Sequence, residues 1–153
     1  MTAVNIAGIE EDERALVVRI AQEWAGTPYH HRARIKGVGV DCGQLVAGVF
    51  EEAGLIPPVP LDLYPRDWMC HRSEERFLAT MERYTRKVDR PARPGDILLF
   101  QVGRTISHGA IVIDYPMVIH AVARMKKVVL STFEQEAKLT KTLRGVWTLK
   151  EWT

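Results

Sequence analysis

DCGQLV, residues 41–46, places Cys42 where a loop containing Gly37 and Gly39 leads into an apolar helix. Asp41 is a favourable N-cap residue for that helix, because its side chain can accept hydrogen bonds from the first backbone N–H groups. Those N–H groups and the helix dipole also stabilise negative charge, so we expect them to favour the thiolate form of the cysteine. The motif therefore indicates a nucleophilic cysteine at the start of a helix.

Two histidines later in the chain could act as the base for this thiol. His108 and His120 lie in segments rich in Ile and Val, residues 107–114 and 117–122, which we predict to be adjacent strands. The midpoint between the two histidines falls in the predicted turn, at residue 114, so in an antiparallel hairpin centred there the two side chains face each other directly. One imidazole could then orient the other, as the third member of a catalytic triad does. A register slip of one residue would instead put them on opposite faces.

Length, composition and charge limit the class of protein. The chain has 153 residues, which predicts a single domain over residues 1–153, and 46% of them are hydrophobic, as in an ordinary globular protein. With 21 Lys and Arg against 19 Asp and Glu, the net charge of +2 is too small to indicate nucleic-acid binding. The N-terminal residues lack the basic and apolar regions of a signal peptide, and no apolar run is long enough to span a membrane. We therefore expect synthesis in the cytoplasm without a signal peptide.

The hydrophobic period changes from helical to extended partway along the chain. Residues 12–25, 42–54 and 73–84 have apolar positions at helical spacing and are predicted helices, whereas residues 29–40 and 59–72 are predicted to be irregular. The predicted strands are short apolar runs between turn residues, at residues 97–100, 107–114, 117–122, 128–133 and 145–149. Helices followed by a run of antiparallel strands predict an α+β fold, with the helices packed on a central sheet.

Each candidate residue also has a simpler structural interpretation. A cysteine at a helix start is usually a small buried apolar residue, and a histidine on an apolar strand is usually a hydrogen-bonded core residue. The other cysteine, in the Cys70-His71 pair, precedes a charged amphipathic helix and is interpreted as structural. His30 and His31 lie in a basic loop, where they are either ligand contacts or solvated side chains. The lack of a C-x-x-C pair or an H-x-x-x-H pattern argues against a structural zinc site. Hydrolysis by a thiol would also require no metal or organic cofactor.

Five short motifs together resemble the NlpC family of papain-like cysteine peptidases. In chain order they are GTPY at residues 26–29, GVGVDC at 37–42, PGDILLF at 94–100, SHGAIV at 107–112 and VIHA at 118–121. The loop before Asp41 and the segment at residues 64–68 look most like the phage-encoded branch of this family, whose members accompany tail-assembly genes. The resemblance therefore implies phage tail proteins as partners and association with the virion tail.

The resemblance also implies a fold and an activity. The fold is a cysteine helix packed against a central antiparallel sheet that carries the histidines. The activity is hydrolysis of amide bonds in peptidoglycan stem peptides, typically between D-glutamate and a diamino acid, without a cofactor. By this resemblance Cys42 matches the nucleophile, His108 the general base and His120 the polar residue that orients the base.

The expected substrate contacts surround these catalytic residues in the sequence. They are Tyr29, Asp41, Gly43, Gln44 and Ser107. Tyr29 matches the tyrosine that lies near the substrate cleft in the family. The family usually continues Asp-Cys-Ser-Gly, whereas this chain has Gly43 and Gln44, so a small hydroxyl beside the nucleophile is replaced and a larger amide follows. This departure affects the expected substrate contacts rather than the thiol chemistry.

Two other classes of protein fit part of the pattern. A non-catalytic tail or wall-binding protein could keep the peptidase fold, although it would not need an activated cysteine. A lipid acyltransferase of related but permuted fold presents its histidine before its cysteine, whereas here Cys42 precedes His108. The order of the residues therefore favours the peptidase, and their joint presence argues against a binding protein.

Overall fold

Helices precede most of the strands along the chain, as the change in hydrophobic period predicts. The computed structural model describes residues 6–60, 69–132, 134 and 137–153. The elements are α1 (Ile6–Glu23), β1 (Arg34–Ile35), β2 (Gly39–Val40), α2 (Cys42–Glu52), α3 (Met69–Tyr84), β3 (Thr85–Val88), β4 (Ile97–Val102), β5 (Thr105–Asp114), β6 (Met117–Val122), β7 (Lys127–Thr132), α4 (Ala137–Thr142) and β8 (Leu143–Leu149). The predicted α+β class with a central antiparallel sheet is confirmed.

Six strands form the central sheet, in the order β3-β8-β4-β5-β6-β7. Strands β4 to β7 form a meander in which each strand pairs with the next, and β8 returns to lie between β3 and β4. Strand β3 was not predicted, because its four residues continue directly from α3 and become a strand only by pairing with β8. The predicted loop at residues 29–40 contains the short hairpin of β1 and β2.

The three predicted helices all form, although their ends differ from the prediction, and the described residues include a short fourth helix, α4. Helix α1 begins at Ile6, six residues earlier than predicted, and Glu10 in the added part pairs with Arg14 at 3.0 Å. Helix α2 ends at Glu52, and the predicted terminating glycine, Gly54, has the positive φ of 75° that suits the end of a helix. Helix α3 begins at Met69, inside the segment predicted to be irregular. The segment at residues 64–68, which resembles the phage-encoded branch, lies outside the described residues.

Helices α1, α2 and α3 cover one face of the sheet, whereas Leu139 of α4 packs against the other. Helix α2 buries Leu45, Val46, Val49 and Phe50 in the main core, which also contains the side chains of Leu99, Ile111 and Ile119 from the sheet. The opposite face carries a smaller cluster, formed with alternate residues of the same strands: Leu98, Phe100, Ala110, Val112 and Val118. This alternation places successive side chains of β4 and β5 in different surroundings.

A buried ion pair joins α1 to the turn before β4. The helical pattern predicts Arg14 on the polar side of α1, but the structure buries it, with 6% of the residue exposed. Its guanidinium donates to Asp96 Oδ1 at 2.9 Å and to Thr148 Oγ1 at 3.2 Å. The other oxygen of Asp96 accepts hydrogen bonds from Arg90 at 2.7 Å and from the backbone N–H of Arg93 at 2.9 Å. The Pro-Gly-Asp motif therefore has a structural role in joining the helices to the sheet.

Removal of the Asp96 carboxylate should destabilise the fold strongly. We expect Asp96→Ala to lower the free energy of unfolding by ~3–5 kcal/mol, because buried Arg14 would lose one of its two carboxylate partners and Arg90 would lose the same carboxylate. Urea denaturation of the two proteins measures this difference. The matched control is Asp114→Ala, since Asp114 is exposed at the end of β5 and its loss should have a much smaller effect. Equal effects of the two substitutions would contradict the proposed role of the ion pair.

The same carboxylate gives this effect a pH dependence. Burial opposes ionisation of Asp96, but hydrogen bonds from Arg90, the backbone of Arg93 and Arg14 outweigh it and hold the pKa below its usual value. A lowered pKa means that the unfolded chain binds this proton more readily than the folded one. The stabilisation is therefore present at neutral pH and is lost as the pH falls below ~3.9, the pKa of an unperturbed Asp.

Candidate active site

Asp41 holds the start of α2 and the preceding loop together. Its Oδ1 accepts a hydrogen bond from the backbone N–H of Gln44 at 2.8 Å, which confirms the predicted N-cap. Its Oδ2 accepts from the backbone N–H of Arg32 at 2.7 Å, and His31 Nδ1 lies 3.8 Å from the same oxygen. Both carboxylate oxygens therefore have protein partners, and a negative charge lies next to Cys42 in the chain.

The Cys42 sulfur lies against the backbone of β5. The thiol donates to the carbonyl oxygen of Ser107 at 3.3 Å, and the backbone N–H of Gly109 hydrogen-bonds to the sulfur. These two residues are the chain neighbours of His108, so the fold brings the predicted nucleophile to the backbone on both sides of the predicted base. The Ser107 side chain itself donates to the carbonyl of Val102 at 3.3 Å.

The thiol is neutral in this arrangement. Burial raises the pKa of Cys42 to about 12, and the negative charge of Asp41 acts in the same direction. Hydrogen bonds from the backbone N–H groups of Gly109, Gly43 and Cys42 itself lower the pKa, but they are outweighed. The expectation that the helix start makes the resting group a thiolate is therefore wrong. A thiol that donates to a carbonyl oxygen is stabilised in its protonated form, in addition to the effect of burial.

The two predicted histidines are hydrogen-bonded to each other. His108 Nε2 and His120 Nδ1 lie 2.8 Å apart, and the two rings meet edge to face at 68° with their centroids 5.1 Å apart. His120 is fully buried, and the ring of His108 packs against that of Phe100 with a centroid distance of 5.6 Å. Burial, together with the nearby His120, lowers the pKa of His108 to about 3. At neutral pH His108 is thus an uncharged imidazole that can accept a proton.

The register of the hairpin differs from the predicted one. Strands β5 and β6 pair Ile111 with Ile119, so continuing this register sets Ala110 across from His120, and His108 lies diagonal to it. The turn is centred one to two residues later than residue 114, and an irregularity between Val112 and Asp114 shifts the pairing. The total shift is two residues, which leaves both histidines on the same face of the sheet because side chains alternate with a period of two.

Two backbone contacts hold Tyr29 near the start of the cysteine helix. Its backbone N–H donates to the carbonyl of Lys126 at 2.8 Å, and it forms an isolated bridge with Val40 just before the cysteine helix. Burial raises the pKa of the Tyr29 phenol, and negative charge on Cys42 or Asp41 acts in the same direction. The phenol is therefore close enough to both groups to interact with them electrostatically.

Phe77 explains the glycine that follows the predicted nucleophile. A Cβ atom built on Gly43 would lie 2.9 Å from Cδ2 of Phe77, and one on Gly109 would lie 3.0 Å from Cζ of the same ring. The ring, carried by α3, thus packs over both glycines next to Cys42 and occupies the space that a serine at position 43 would need. The sequence analysis missed Phe77, because an apolar residue on an amphipathic helix looks like any other core residue.

Gln44 is held by an arginine that the sequence analysis also missed. Its Oε1 accepts from Arg34 Nη1 at 3.0 Å, and Arg34 pairs with Glu51 at 3.3 Å and also donates to the carbonyl of Val59. The amide that replaces the usual glycine therefore ties α2 to strand β1. It has a structural partner in addition to its predicted contact with substrate.

The remaining candidates form no further centre in the described part of the chain. His30 Nδ1 lies 3.1 Å from the carbonyl oxygen of its neighbour His31 in an exposed loop. The side chains of Cys70 and His71 lie outside the described residues. Within the described ranges, no group of three or more His, Cys, Asp and Glu residues is arranged to hold a metal ion. Among those same residues, no helix is both long enough and apolar enough to cross a bilayer.

Comparison with family models identifies one family. The model of the NlpC/P60 family matches residues 26–147, which include every predicted site residue. A search of curated proteins found no significant match.

Solved structures share the fold at low sequence identity. The NlpC/p60 domain of peptidoglycan hydrolase SagA has a TM-score of 0.57 and 18% identity over 88% of this chain and 97% of that chain. A lipoprotein-like NLP/P60 family protein from Staphylococcus aureus has a TM-score of 0.66 and 16% identity over 94% of this chain and 42% of that chain. An N-acetylmuramoyl-L-alanine amidase from Bacteroides uniformis has a TM-score of 0.58 and 16% identity over 91% and 99%. The chain thus spans nearly all of the SagA domain and of the amidase, and less than half of the Staphylococcus aureus protein.

Restoring the serine at position 43 should strain the contact with Phe77. We expect Gly43→Ser to destabilise the protein by ~1–3 kcal/mol through overpacking, and Gly43→Ser combined with Phe77→Leu to recover most of that loss. Urea denaturation of the two single variants and the double variant forms a thermodynamic cycle. Phe77→Leu alone is the control for the cost of removing the ring. If the changes in the free energy of unfolding of the two single variants simply add in the double variant, the ring does not exclude serine.

The raised pKa of Cys42 predicts slow alkylation near neutral pH. In a Cys70→Ala background, where Cys42 is the single cysteine, we expect the iodoacetamide rate to keep rising from about pH 6 to about pH 9, because only the thiolate reacts. The same protein in urea is the control, since its thiol has the ordinary pKa of ~8.5 and should react faster at each pH. A rate in the folded protein that is already constant below neutral pH would instead reveal a resting thiolate.

Proposed function

Because the chain belongs to the NlpC/P60 family, we propose that it is a cysteine peptidase acting on the stem peptides of peptidoglycan. The bond we propose is the amide between D-glutamate and the following diamino acid. The observation that carries this proposal is the meeting of the Cys42 sulfur with the β5 backbone around His108, whose ring is bonded to His120. The cell-wall substrate is supported by two proteins of similar fold, described as a peptidoglycan hydrolase and a muramoyl-alanine amidase.

In the proposed reaction Cys42 is the nucleophile and His108 the general base. His108 uses Nε2 for its bond with His120, so Nδ1 is the nitrogen that would take the thiol proton. The thiol hydrogen must first leave the carbonyl of Ser107, to which it is bonded in the resting state. Since both groups are neutral at rest, proton transfer accompanies attack of the sulfur on the amide carbon.

The remaining steps use the same groups and water. The substrate carbonyl oxygen becomes negatively charged during attack, and the backbone N–H of Cys42 at the start of α2 is a suitable donor to it. His108 then protonates the leaving amine, which releases it and leaves a thioester on Cys42. Water, deprotonated by His108, hydrolyses the thioester and restores the thiol. Tyr29 is the proposed contact for the bound peptide.

A second candidate function is wall binding without catalysis. The observation that favours it is the neutral Cys42 thiol, engaged with the Ser107 carbonyl and raised in pKa. Because the two candidate functions differ in catalysis, hydrolysis has to be measured directly.

In either case we propose that the chain acts together with phage tail proteins. This proposal rests on the likeness of the loop before Asp41 to the phage-encoded branch of the family.

Purified protein incubated with defined muropeptides tests the proposal, with products identified by mass spectrometry. We expect cleavage between D-glutamate and the diamino acid, and we expect Cys42→Ala to lose activity by on the order of 1000-fold or more while staying folded. Cys70→Ala is the matched control and should keep most of the activity. Release of stem peptides with L-alanine at their N-terminus would identify the protein as a muramoyl-alanine amidase. Binding of muropeptides without any cleavage would favour the non-catalytic function.

A further inference from the structure

The imidazole of His120 is held from both sides. Its Nδ1 lies 2.8 Å from His108 Nε2, and its Nε2 lies 3.0 Å from Ser131 Oγ. His120 is fully buried between these two partly exposed residues. A row of three polar side chains therefore crosses strands β5, β6 and β7, and its far end, Ser131, was not a predicted site residue.

Strand register places the serine at this position. Strands β6 and β7 pair His120 with Val129 and Val118 with Ser131, so Ser131 lies diagonal to His120 on the same face. His108 stands in the same diagonal relation to His120 on the other side, within the register of β5 and β6. The backbone thus directs both partners towards the two ring nitrogens of one buried imidazole.

We propose that Ser131 is a positioning residue that sets the tautomer of the His108–His120 pair, an inference that rests on the proposed cysteine peptidase function. To take a proton from Cys42, Nδ1 of neutral His108 must be unprotonated, so its hydrogen is on Nε2 and is donated to His120 Nδ1. That nitrogen must then be an acceptor, so the single hydrogen of neutral His120 is on Nε2. The Oγ of Ser131 lies where that hydrogen needs an acceptor.

Loss of the Ser131 hydroxyl would favour the opposite tautomer of both His120 and His108. A buried N–H without an acceptor is costly, so the hydrogen of His120 would move to Nδ1 and be donated to His108 Nε2. The hydrogen of His108 would then have to lie on Nδ1, the nitrogen required to receive the thiol proton. A base with the wrong tautomer keeps its place in the structure and loses its function. Ser131 therefore acts on the thiol chemistry through two imidazoles.

The tautomers can be read directly, without any substrate. We would label the histidines with ¹⁵N and record the ring-nitrogen shifts of the full chain and its variants by NMR. The expected result for the wild type is a protonated Nε2 and an unprotonated Nδ1 on both His108 and His120. The variants are Ser131→Thr, which keeps the hydroxyl, and Ser131→Val, which has nearly the same shape and lacks it. We expect Ser131→Thr to keep this pattern and Ser131→Val to move the hydrogen of His120 to Nδ1.

Kinetics on muropeptides gives the second measurement. We expect Ser131→Val to lower kcat by on the order of 100-fold with little change in KM, and Ser131→Thr to restore most of it. The control is Thr142→Ala, which removes a hydroxyl that donates to the carbonyl of Leu139 at 3.2 Å in α4. It should leave kcat and the tautomers unchanged.

The possible outcomes separate this inference from the function on which it rests. Wild-type tautomers in folded Ser131→Val, or equal kcat in the Thr and Val variants, would overturn the role of Ser131. If Ser131→Val does not fold, Ser131→Ala provides the same comparison with Ser131→Thr. If Ser131→Val changes the tautomers but the wild-type protein cleaves no muropeptide, the role of Ser131 stands and the peptidase function is rejected.

Discussion

The close approach of helix α2 to strand β5 is the constraint on which the candidate site depends. The Phe77 ring of α3 packs over Gly43 at the start of α2 and over Gly109 in β5, at distances that would crowd a Cβ atom at either position. Helix α2 begins near strand β5, where the Cys42 sulfur reaches the backbone on both sides of His108. The usual serine after the nucleophile is therefore exchanged for a tighter contact with α3.

Strand register then supplies the other half of the site. The meander places β5, β6 and β7 side by side, and the alternation of side chains keeps His108, His120 and Ser131 on one face. Each contact is diagonal, so it depends on the pairing of the backbone more than on any one side chain. Only His120 is fully buried, and its two nitrogens both have polar partners, which is how a polar ring is accommodated in a core.

Burial determines where the protons lie before reaction. It raises the pKa of Cys42 and lowers that of His108, so both changes favour the uncharged pair. The Asp41 carboxylate strengthens this preference at the thiol, even though it caps the same helix whose N–H groups favour the thiolate. In the proposed reaction, charge separation would therefore accompany attack of the sulfur on the amide carbonyl, which would share the developing charge.

The sequence by itself determined the features that depend on near neighbours. The α+β class, the Asp41 cap, the helix that begins at Cys42 and the two histidine strands all follow from periodicity and local hydrogen bonding. The midpoint argument also placed both histidines on one face, although it paired them two residues out of register. It took residue 114 as the centre of the hairpin, whereas the pairing of Asp114 with Met117 centres the turn between Tyr115 and Pro116. The irregularity between Val112 and Asp114 then returns both histidines to one face, and it cannot be read from a pattern of apolar residues.

The tertiary structure decided every feature whose cause lies far along the chain. Arg14 is buried because Asp96, 82 residues away, neutralises it, and Phe77 matters because two glycines from other elements leave space for its ring. Ser131 has no signal in the sequence, since a serine on a strand acquires a partner only when the register brings His120 beside it. Local patterns specify where the backbone turns and which face is apolar. Which side chains share a buried proton or charge is decided by packing between distant segments.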